Sequence, residues 1–323
     1  MPRPGGRRFP PIRAGCPAGG ILAGLTPVVR LLRASDSAAA AALFAAAYPQ
    51  RTDEPAWHDD QARRFVTDEV TAYGSVWHVH DQRFRMDLVV RPGCRRRGIG
   101  SAMLGRLIIE ARAAGAATLQ ARADSGRAEV LAFLTRRGFA ETMRMHHLVL
   151  DVASATLAPY ADLEPRLAAD GIKVTTLAEE LRRAGDACWP WLCDAYNAGR
   201  EGWPDPDGQD AGPERPLTAQ EFRARYHHCA GLWPEPCFLA IRDGEYIGFA
   251  GPIGTAVRPA MRGRGIATAL KVRVIASARE RGEPVLDSST GNPAMLTINQ
   301  RLGYQRTATE VRLVRPLRPR PGG

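Results

Sequence analysis

The chain has 323 residues, of which 45% are hydrophobic and 24% charged, and this suits a globular protein with room for about two domains. The formal net charge is +10, but residues 1–33 and 311–323 together hold ten arginines and no acid, so the rest of the chain is neutral. A neutral body argues against a nucleic-acid-binding face, and the longest apolar run, residues 38–48, is too short to span a membrane.

The chain ends and the cysteines set further expectations. Residues 1–26 are rich in Pro, Gly and Arg, which predicts a disordered basic tail rather than a signal peptide. Residues 317–323 are expected to form a second short tail. The six cysteines form no CxxC pair, and this favours reduced thiols in a cytoplasmic protein.

The first half of the chain predicts alternating strands and helices, bounded by glycines, prolines and capping residues. The predicted elements are a strand over 28–33, a helix over 37–48, a hairpin over 63–79, a strand over 83–90, a helix from 98 to 114, a strand over 117–121, a helix over 129–137 and a strand over 145–152.

The second half repeats this order after a helical pair. Its predicted elements are a strand over 171–176, helical stretches over 179–197 and 218–228, strands over 237–243 and 245–251, a helix up to 281, a strand over 284–288 and a helix over 293–304.

Two segments rich in Gly and Arg repeat at an offset of 167 residues: "VVRPGCRRRGIGSAML", beginning at Val89, and "AVRPAMRGRGIATALK", beginning at Ala256. Thirteen of 29 positions are identical between Arg91–Leu119 and Arg258–Leu286. The period is too long for a solenoid, so the sequence predicts two copies of one domain.

The predicted domains cover 27–152 (copy one) and 171–316 (copy two), joined by a linker over 153–170. Each repeated segment lies between a strand and a helix. The first turn of a helix leaves backbone N–H groups unbonded and carries partial positive charge, so it binds phosphate where glycines leave the backbone open. Neighbouring arginines add charge-assisted contacts. The implied ligand is a pyrophosphate, although neither a Walker A loop nor an early Rossmann fingerprint is present.

The motifs "RRRGIG" and "RGRGIA" resemble the acetyl-CoA motif of the GNAT superfamily of N-acetyltransferases. "FLTRRGFAE" and "INQRLGYQ" are similar to the helix and terminal Gly-Phe/Tyr that follow in that superfamily. The layout resembles the tandem GNAT proteins of actinobacteria, a group similar to mycothiol synthase in arrangement.

The resemblance implies an α/β fold of two tandem GNAT domains, each a splayed mixed, mainly antiparallel sheet flanked by helices. Acetyl-CoA would lie as co-substrate between the fourth and fifth strands and give its acetyl group to a primary amine by direct attack. The acceptor would be a small-molecule amine or a peptide N-terminus, and the protein a monomer or homodimer without nucleic-acid or membrane partners. The alternative is a non-catalytic protein that binds or senses acyl-CoA.

Carried over position by position, the resemblance predicts an acetyl-CoA-binding set in both copies. These residues are Leu88, Val89, Val90, Arg95, Arg96, Arg97, Gly98, Ile99, Gly100, Ser101, Thr255, Ala256, Val257, Arg262, Gly263, Arg264, Gly265, Ile266, Ala267, Thr268 and Asn292. Asn292 is equally well interpreted as a helix N-cap before Pro293.

The catalytic candidates are Asp87, Asp287 and Asn299. Asp87 on the fourth strand is a candidate base or a salt-bridge partner of a nearby arginine, and Asp287 presents the same two alternatives. Leu134 and Asn299 occupy the position at which the superfamily has a tyrosine that protonates the thiolate, and neither offers a phenol. Because copy two adds the two asparagines, the sequence favours it as the catalytic copy.

Two histidine groups and one aromatic group complete the candidates. His78 with His80, and His227 with His228 and Cys229, lack an evident further ligand, so no metal is predicted. Trp189, Trp191, Tyr196 and Trp203 are expected to form either an acceptor lid or ordinary core, and core is favoured.

Overall fold

The computed structural model of the protein describes residues 27–48, 62–200, 216–232 and 236–317. The chain divides into two compact units. Unit 1 comprises Met1–Ala123, Arg127–Thr142 and Arg312–Gly323, and unit 2 comprises Asp124–Gly126 and Met143–Val311. The units therefore divide within strands near residues 142 and 311, and at the last residue of a third strand, between Ala123 and Asp124. The domain boundaries at 152 and 171 stay a prediction.

Unit 1 is built on a β-sheet with helices on both faces. Its elements are the strands β1 (Val29–Leu31), β2 (Arg63–Thr67), β3 (Ala72–His80), β4 (Arg83–Val90) and β5 (Thr118–Asp124), and the helices α1 (Ser37–Ala47), α2 (Ile99–Ala113) and α3 (Ala128–Thr135). It also holds the first residues of β6 (Ala140–Asp151) and the last residues of β12 (Gln305–Pro316).

The sheet of unit 1 opens between β4 and β5. The strands β1 to β4 pair in chain order and antiparallel. The strands β4 and β5 are parallel, and their register runs only from Arg83↔Thr118 to Arg85↔Gln120. Since β4 continues to Val90, the two strands separate after three residue pairs and leave a gap at their C-terminal ends.

The helices α1 and α2 cover opposite faces of this sheet. Residues of α1 pack with Val66, Tyr73 and Val89 in one buried cluster. The helix α2 crosses the other face so closely that a Cβ on Gly74 would lie 2.7 Å from the Sδ of Met103. Only glycine at position 74 permits that approach, and it fixes the start of α2 relative to the strand gap.

Unit 2 contains the remaining elements. They are the helices α4 (Leu163–Ala169), α5 (Leu177–Ala184), α6 (Cys188–Gly199), α7 (Ala219–Leu232), α8 (Ile266–Glu280) and α9 (Pro293–Arg301), and the strands β7 (Ile172–Thr176), β8 (Phe238–Arg242), β9 (Glu245–Gly251), β10 (Gly254–Val257) and β11 (Val285–Thr290). The single helical stretch predicted over 179–197 is two helices, because Gly185 adopts φ 57° and ψ −145° at the end of α5.

In unit 2 the separation of the corresponding strands is complete. The strands form an antiparallel sheet in the order β10-β9-β8-β7, with β10 at its edge. The strand β11 belongs to another sheet, where it pairs antiparallel with β6 from Val285↔Asp151 to Thr290↔His146.

The last strand of each copy does not lie beside the fifth strand of its own copy. In the sequence repeat, β6 closes copy one and β12 closes copy two. In unit 1 the end of β12 lies next to β5, and the chain continues there with a hydrogen bond from Leu317 N to Ala117 O of 2.8 Å. In unit 2, β6 pairs with β11. The two copies have thus exchanged their last strands.

The cysteines depart in one place from the prediction of reduced thiols. Cys188, Cys193, Cys229 and Cys237 are free thiols, whereas the structure assigns Cys94 to a disulfide. The cytoplasmic location stays a prediction. No helix within the described ranges combines the length and the apolar character needed to cross a membrane.

Candidate functional site

The two glycine- and arginine-rich segments adopt the same backbone path. A 3-10 turn, Pro92–Cys94 in one copy and Pro259–Met261 in the other, follows the strand. The helix then begins after a left-handed glycine, Gly98 with φ 78° or Gly265 with φ 83°. Neither helix start has a side-chain cap. Both therefore present the backbone N–H groups of the first helical turn, as the sequence predicted for an anion site.

The first arginine of each motif holds the turn in place. Arg95 Nε donates to Val90 O, and Arg262 Nε donates to Val257 O, both at 3.2 Å. Arg262 Nη2 also donates to Gly199 O at 3.1 Å. Arg95 and Arg262 thus connect the loop to the end of the preceding strand, and any phosphate contact would add to that role.

The next position carries backbone strain in one copy only. Arg96 has φ 62°, and the equivalent Gly263 has φ 78°. A side chain at a left-handed position costs about 1–2 kcal/mol. Arg96 adopts this unfavourable conformation, and its side chain is exposed beside the helix start.

Access to the two helix starts differs. Among the described residues, no atom lies within 4 Å of the point that a Cβ on Gly98 would occupy, whereas the same point on Gly265 is 3.3 Å from Leu163 Cδ2. Gly98 is exposed and Gly265 half-buried. The helix start at Gly98 is therefore open, whereas Leu163 of α4 lies against the helix start at Gly265 and residues 262–264 stay exposed.

The remaining predicted binding residues line the helix starts and the strand ends. Ile99 and Ile266 are each 2% exposed and anchor the helices in the core, so only their backbones can contact a ligand. Ser101 Oγ accepts a hydrogen bond of 2.5 Å from Arg137 Nη2. The other residues of the helix-start set are exposed or half-buried: Arg97, Gly100, Arg264, Ala267 and Thr268.

The strand residues predicted to contact the thioester occupy different surroundings in the two copies. Leu88, Val89 and Val90 end β4 beside the gap and remain paired with β3 on the other side. Thr255, Ala256 and Val257 end β10, where the end of α6 packs closely: a Cβ on Gly199 would lie 2.6 Å from the Cβ of Ala256.

Asp87 belongs to a buried polar row on the α1 face of unit 1. Register places Arg64 of β2 opposite Ser75 of β3, and Ser75 opposite Asp87 of β4. Ser75 and Asp87 are 0% and 5% exposed. Burial raises the pKa of the neighbouring Tyr73 to about 12, the Asp87 carboxylate adds to that rise, and Ser75 and Arg64 oppose it. Tyr73 is therefore a neutral phenol at physiological pH.

Gln120 extends this polar face at the point where β4 and β5 separate, and the sequence analysis missed it. It is 4% exposed, and its Oε1 accepts 3.2 Å hydrogen bonds from Nε and Nη2 of Arg85. The available signal was a glutamine at an inward position of the apolar strand "ATLQA".

The copy-two candidates lie apart from such a polar face. Asp287 is exposed on β11. Asn292 is the N-cap of α9, where its Oδ1 accepts from Ala294 N at 2.9 Å and from Met295 N at 3.3 Å. Asn299 is fully buried on α9 and donates from Nδ2 to Ser288 Oγ at 3.2 Å. The equivalent Leu134 is a buried core residue.

The candidate histidines contact other parts of the protein, and the tryptophans and tyrosine differ in burial. His78 Nε2 lies 2.7 Å from Asp81 O, and the His227 ring lies 5.2 Å from that of Trp189. Across the described part of the chain, no three His, Cys, Asp or Glu side chains form a metal-binding group. Trp189 and Tyr196 are buried core residues, and Trp203 lies outside the described residues. The core prediction was wrong for Trp191, which is 43% exposed on α6.

Each copy has two strands that separate beside a helix that begins at a glycine. Comparison with known proteins identifies the family that has this arrangement. The family model "Acetyltransferase (GNAT) family" matches residues 32–139 and 192–304. The chain belongs to the GNAT acetyltransferase family. The predicted family, tandem arrangement and fold class are confirmed.

Known relatives resemble the chain over different spans. The "N-alpha-acetyltransferase MAK3" of Arabidopsis thaliana is 34% identical over 97 residues, which cover 25% of this chain and 50% of that protein. The chain thus spans about half the length of this curated relative.

Two solved structures are similar in fold to most of the chain. A GCN5-related N-acetyltransferase from Sphaerobacter thermophilus has a TM-score of 0.66 at 19% identity, covering 90% of this chain and 96% of that one. A tandem GNAT protein from the clavulanic acid biosynthesis pathway has a TM-score of 0.58 at 17% identity, covering 90% and 99%. At these identities the likeness concerns the fold.

Proposed function

We propose that the protein is an acetyl-CoA-dependent N-acetyltransferase and that transfer takes place in unit 1. One observation carries the proposal: the gap after Arg85↔Gln120 lies next to a helix start that is capped by Gly98 and open to solvent. The pyrophosphate of acetyl-CoA would bind the N–H groups after Gly98. Its thioester would then lie along Leu88–Val90, which follow the last β4–β5 pair, Arg85↔Gln120, and border the gap.

The reaction joins the acceptor nitrogen to the acetyl carbonyl carbon. The amine loses a proton to a base, its lone pair attacks the thioester, the C–N bond forms and the C–S bond breaks. The leaving thiolate takes up a proton, so the products are an N-acetyl amine and free CoA thiol. Asp87, buried next to the gap, is the base that we assign to the ammonium proton.

The choice of unit 1 over unit 2 depends on access. Sequence favoured copy two for its asparagines, but Leu163 covers Gly265 there and the candidate Asp287 is exposed on the far strand. Unit 1 combines an open helix start with a buried carboxylate on the adjoining strand.

The alternative is a protein that binds acyl-CoA without turnover. Its support is the apolar Leu134, 4% exposed, at the position where a thiolate-protonating phenol is expected. Water in the open gap would have to supply that proton in the enzyme.

The test is release of CoA thiol from acetyl-CoA across a panel of primary amines, with the N-acetyl product identified by mass. Asp87→Asn should lower kcat by about 100-fold or more, since a positioned base contributes at least that factor. Asp287→Asn reports on copy two. If Asp287→Asn lowers the rate of thiol release and Asp87→Asn does not, the active site is in unit 2. If the protein binds acetyl-CoA but no acetylated amine forms, the non-catalytic alternative is favoured.

A further inference from the structure

The carboxamide of Gln120 is held in a single orientation and presents an unused donor. Two nitrogens of Arg85 donate to its Oε1 at 3.2 Å, so the oxygen must face the guanidinium and Nε2 must face away from it. Among the described residues, no acceptor lies within hydrogen-bond distance of Nε2. A buried donor left without a partner costs about 1–3 kcal/mol, which a ligand oxygen would recover.

The position of this donor links it to the proposed reaction. Arg85↔Gln120 is the last pair before β4 and β5 separate, so Gln120 stands at the closed end of the gap. Asp87 lies two residues beyond Arg85 and projects from the same face, because side chains alternate along a strand. The α1 face at the closed end of the gap therefore offers a carboxylate and an amide donor side by side.

Arginines share this face with the buried Asp87 and Gln120. Arg85 and Asp87 on β4, Arg122 on β5 and Arg64 on β2 project to the same side. A guanidinium forms a stronger, charge-assisted hydrogen bond with a carboxylate than with a neutral amide, so this face suits a ligand carboxylate better than a carboxamide.

We infer that the acceptor is an α-amino acid with a free carboxylate, with its ammonium at Asp87 and its carboxylate on Gln120 Nε2. The spacing fits: two residues along β4 and one step across to β5 separate the two positions by about 8 Å. Hydrogen bonds of about 2.9 Å at each end leave roughly 2–3 Å between the ligand's charged groups. In an α-amino acid a single carbon separates them. This inference rests on the proposed acetyl transfer in unit 1.

The experiment measures CoA release with the protein amino acids and, for each, the matching carboxamide. Wild-type protein should use at least one amino acid with a kcat/KM about tenfold or more above that of its amide. Gln120→Leu should raise KM for that amino acid about tenfold and leave KM for acetyl-CoA unchanged. Gln120→Glu, which places a carboxylate against the ligand's own, should be worse still. Gln82→Leu, at an exposed glutamine of the same unit, is the matched control.

Outcomes of this experiment separate the inference from the proposed function. If kcat/KM is equal for amino acids and their amides, or if Gln120→Leu leaves KM for the amino acid unchanged, the inference is overturned. Neither outcome contradicts the proposed acetyl transfer. If no acceptor releases CoA, thermal shift with amino acids in the presence of CoA decides. Stabilisation that Gln120→Leu abolishes supports the pocket, and no stabilisation overturns it. Circular dichroism confirms that each variant is folded.

Discussion

Leu163 of α4 contacts Gly265, the residue that begins α8: its Cδ2 lies 3.3 Å from the point that a glycine Cβ would occupy. Two further contacts hold the segment there. Glu164 pairs with Arg273 of α8 at 3.2 Å, and the Tyr160 hydroxyl donates to Arg301 O at 2.8 Å. An apolar side chain flanked by a carboxylate disfavours a pyrophosphate at this helix start.

We therefore predict that each chain binds one acetyl-CoA. Gly98→Glu should abolish binding, because a carboxylate in the open cluster blocks phosphate by bulk and by charge. Gly265→Glu should leave one site occupied. The two glycines have φ of 78° and 83°, so the strain added by a side chain is matched between the variants. Isothermal titration of acetyl-CoA measures the stoichiometry, and two sites in the wild-type protein would show that Leu163 does not block the second helix start.

Replacing Arg96 by glycine should stabilise the protein. The substitution removes about 1–2 kcal/mol of left-handed strain and costs about 0.5–1 kcal/mol in unfolded-chain entropy, for a net gain of about 0–1.5 kcal/mol. Arg97→Gly is the control, because Arg97 is not at a positive φ and should lose stability instead. Urea denaturation gives both free energies of unfolding, and a destabilised Arg96→Gly would mean that the guanidinium makes contacts worth more than the strain.

Asn299→Leu should leave turnover in place and change stability by no more than about 1 kcal/mol. Its Oδ1 is buried without a partner within the described ranges, so leucine removes an unsatisfied group while losing the bond to Ser288. Copy one already has Leu134 at this position. Steady-state rates and thermal unfolding check the outcome. If the Asn299→Leu protein is folded but has no turnover, copy two carries the acetyl transfer.

The link between β1 and α1 should weaken in acid. Two nitrogens of Arg30 donate to the carboxylate of Asp36, at 2.6 and 3.1 Å, and Arg33 N adds a bond of 2.9 Å. These bonds lower the pKa of Asp36 to about 2. A depressed carboxyl pKa stabilises the fold above its unfolded value of about 3.9 and loses that effect as pH falls through the folded value.

Asp36→Asn should therefore destabilise the protein at pH 6, and its difference from wild type should shrink between about pH 4 and pH 2. Thermal unfolding across that range tests the prediction. Asp162→Asn, at an exposed carboxylate that pairs with Arg166 at 3.5 Å, serves as the comparison and should show little effect at any pH. A constant difference for Asp36→Asn down to pH 2 would show that the Arg30 contact is not electrostatic.

Local signals in the sequence were enough for the strand and the helix start that flank the first glycine- and arginine-rich segment. β4 was predicted at its observed bounds, and α2 begins one residue after Gly98. Pro92 and Gly98 carry this information in their own backbone preferences, which act over a few residues and do not depend on the rest of the fold. The same holds for Asn292, whose N-cap interpretation needed only the proline that follows.

Tertiary structure decided which of those local elements meet. The strands β6 and β12 derive from the same repeat, so pattern alone could not show that β6 pairs with β11 or that β12 lies beside β5. Leu163 reaches Gly265, and Arg85 orients Gln120, across 102 and 35 residues of chain. Such contacts depend on the packing of whole elements against one another, and that packing is settled by the summed burial of many side chains rather than by any short motif.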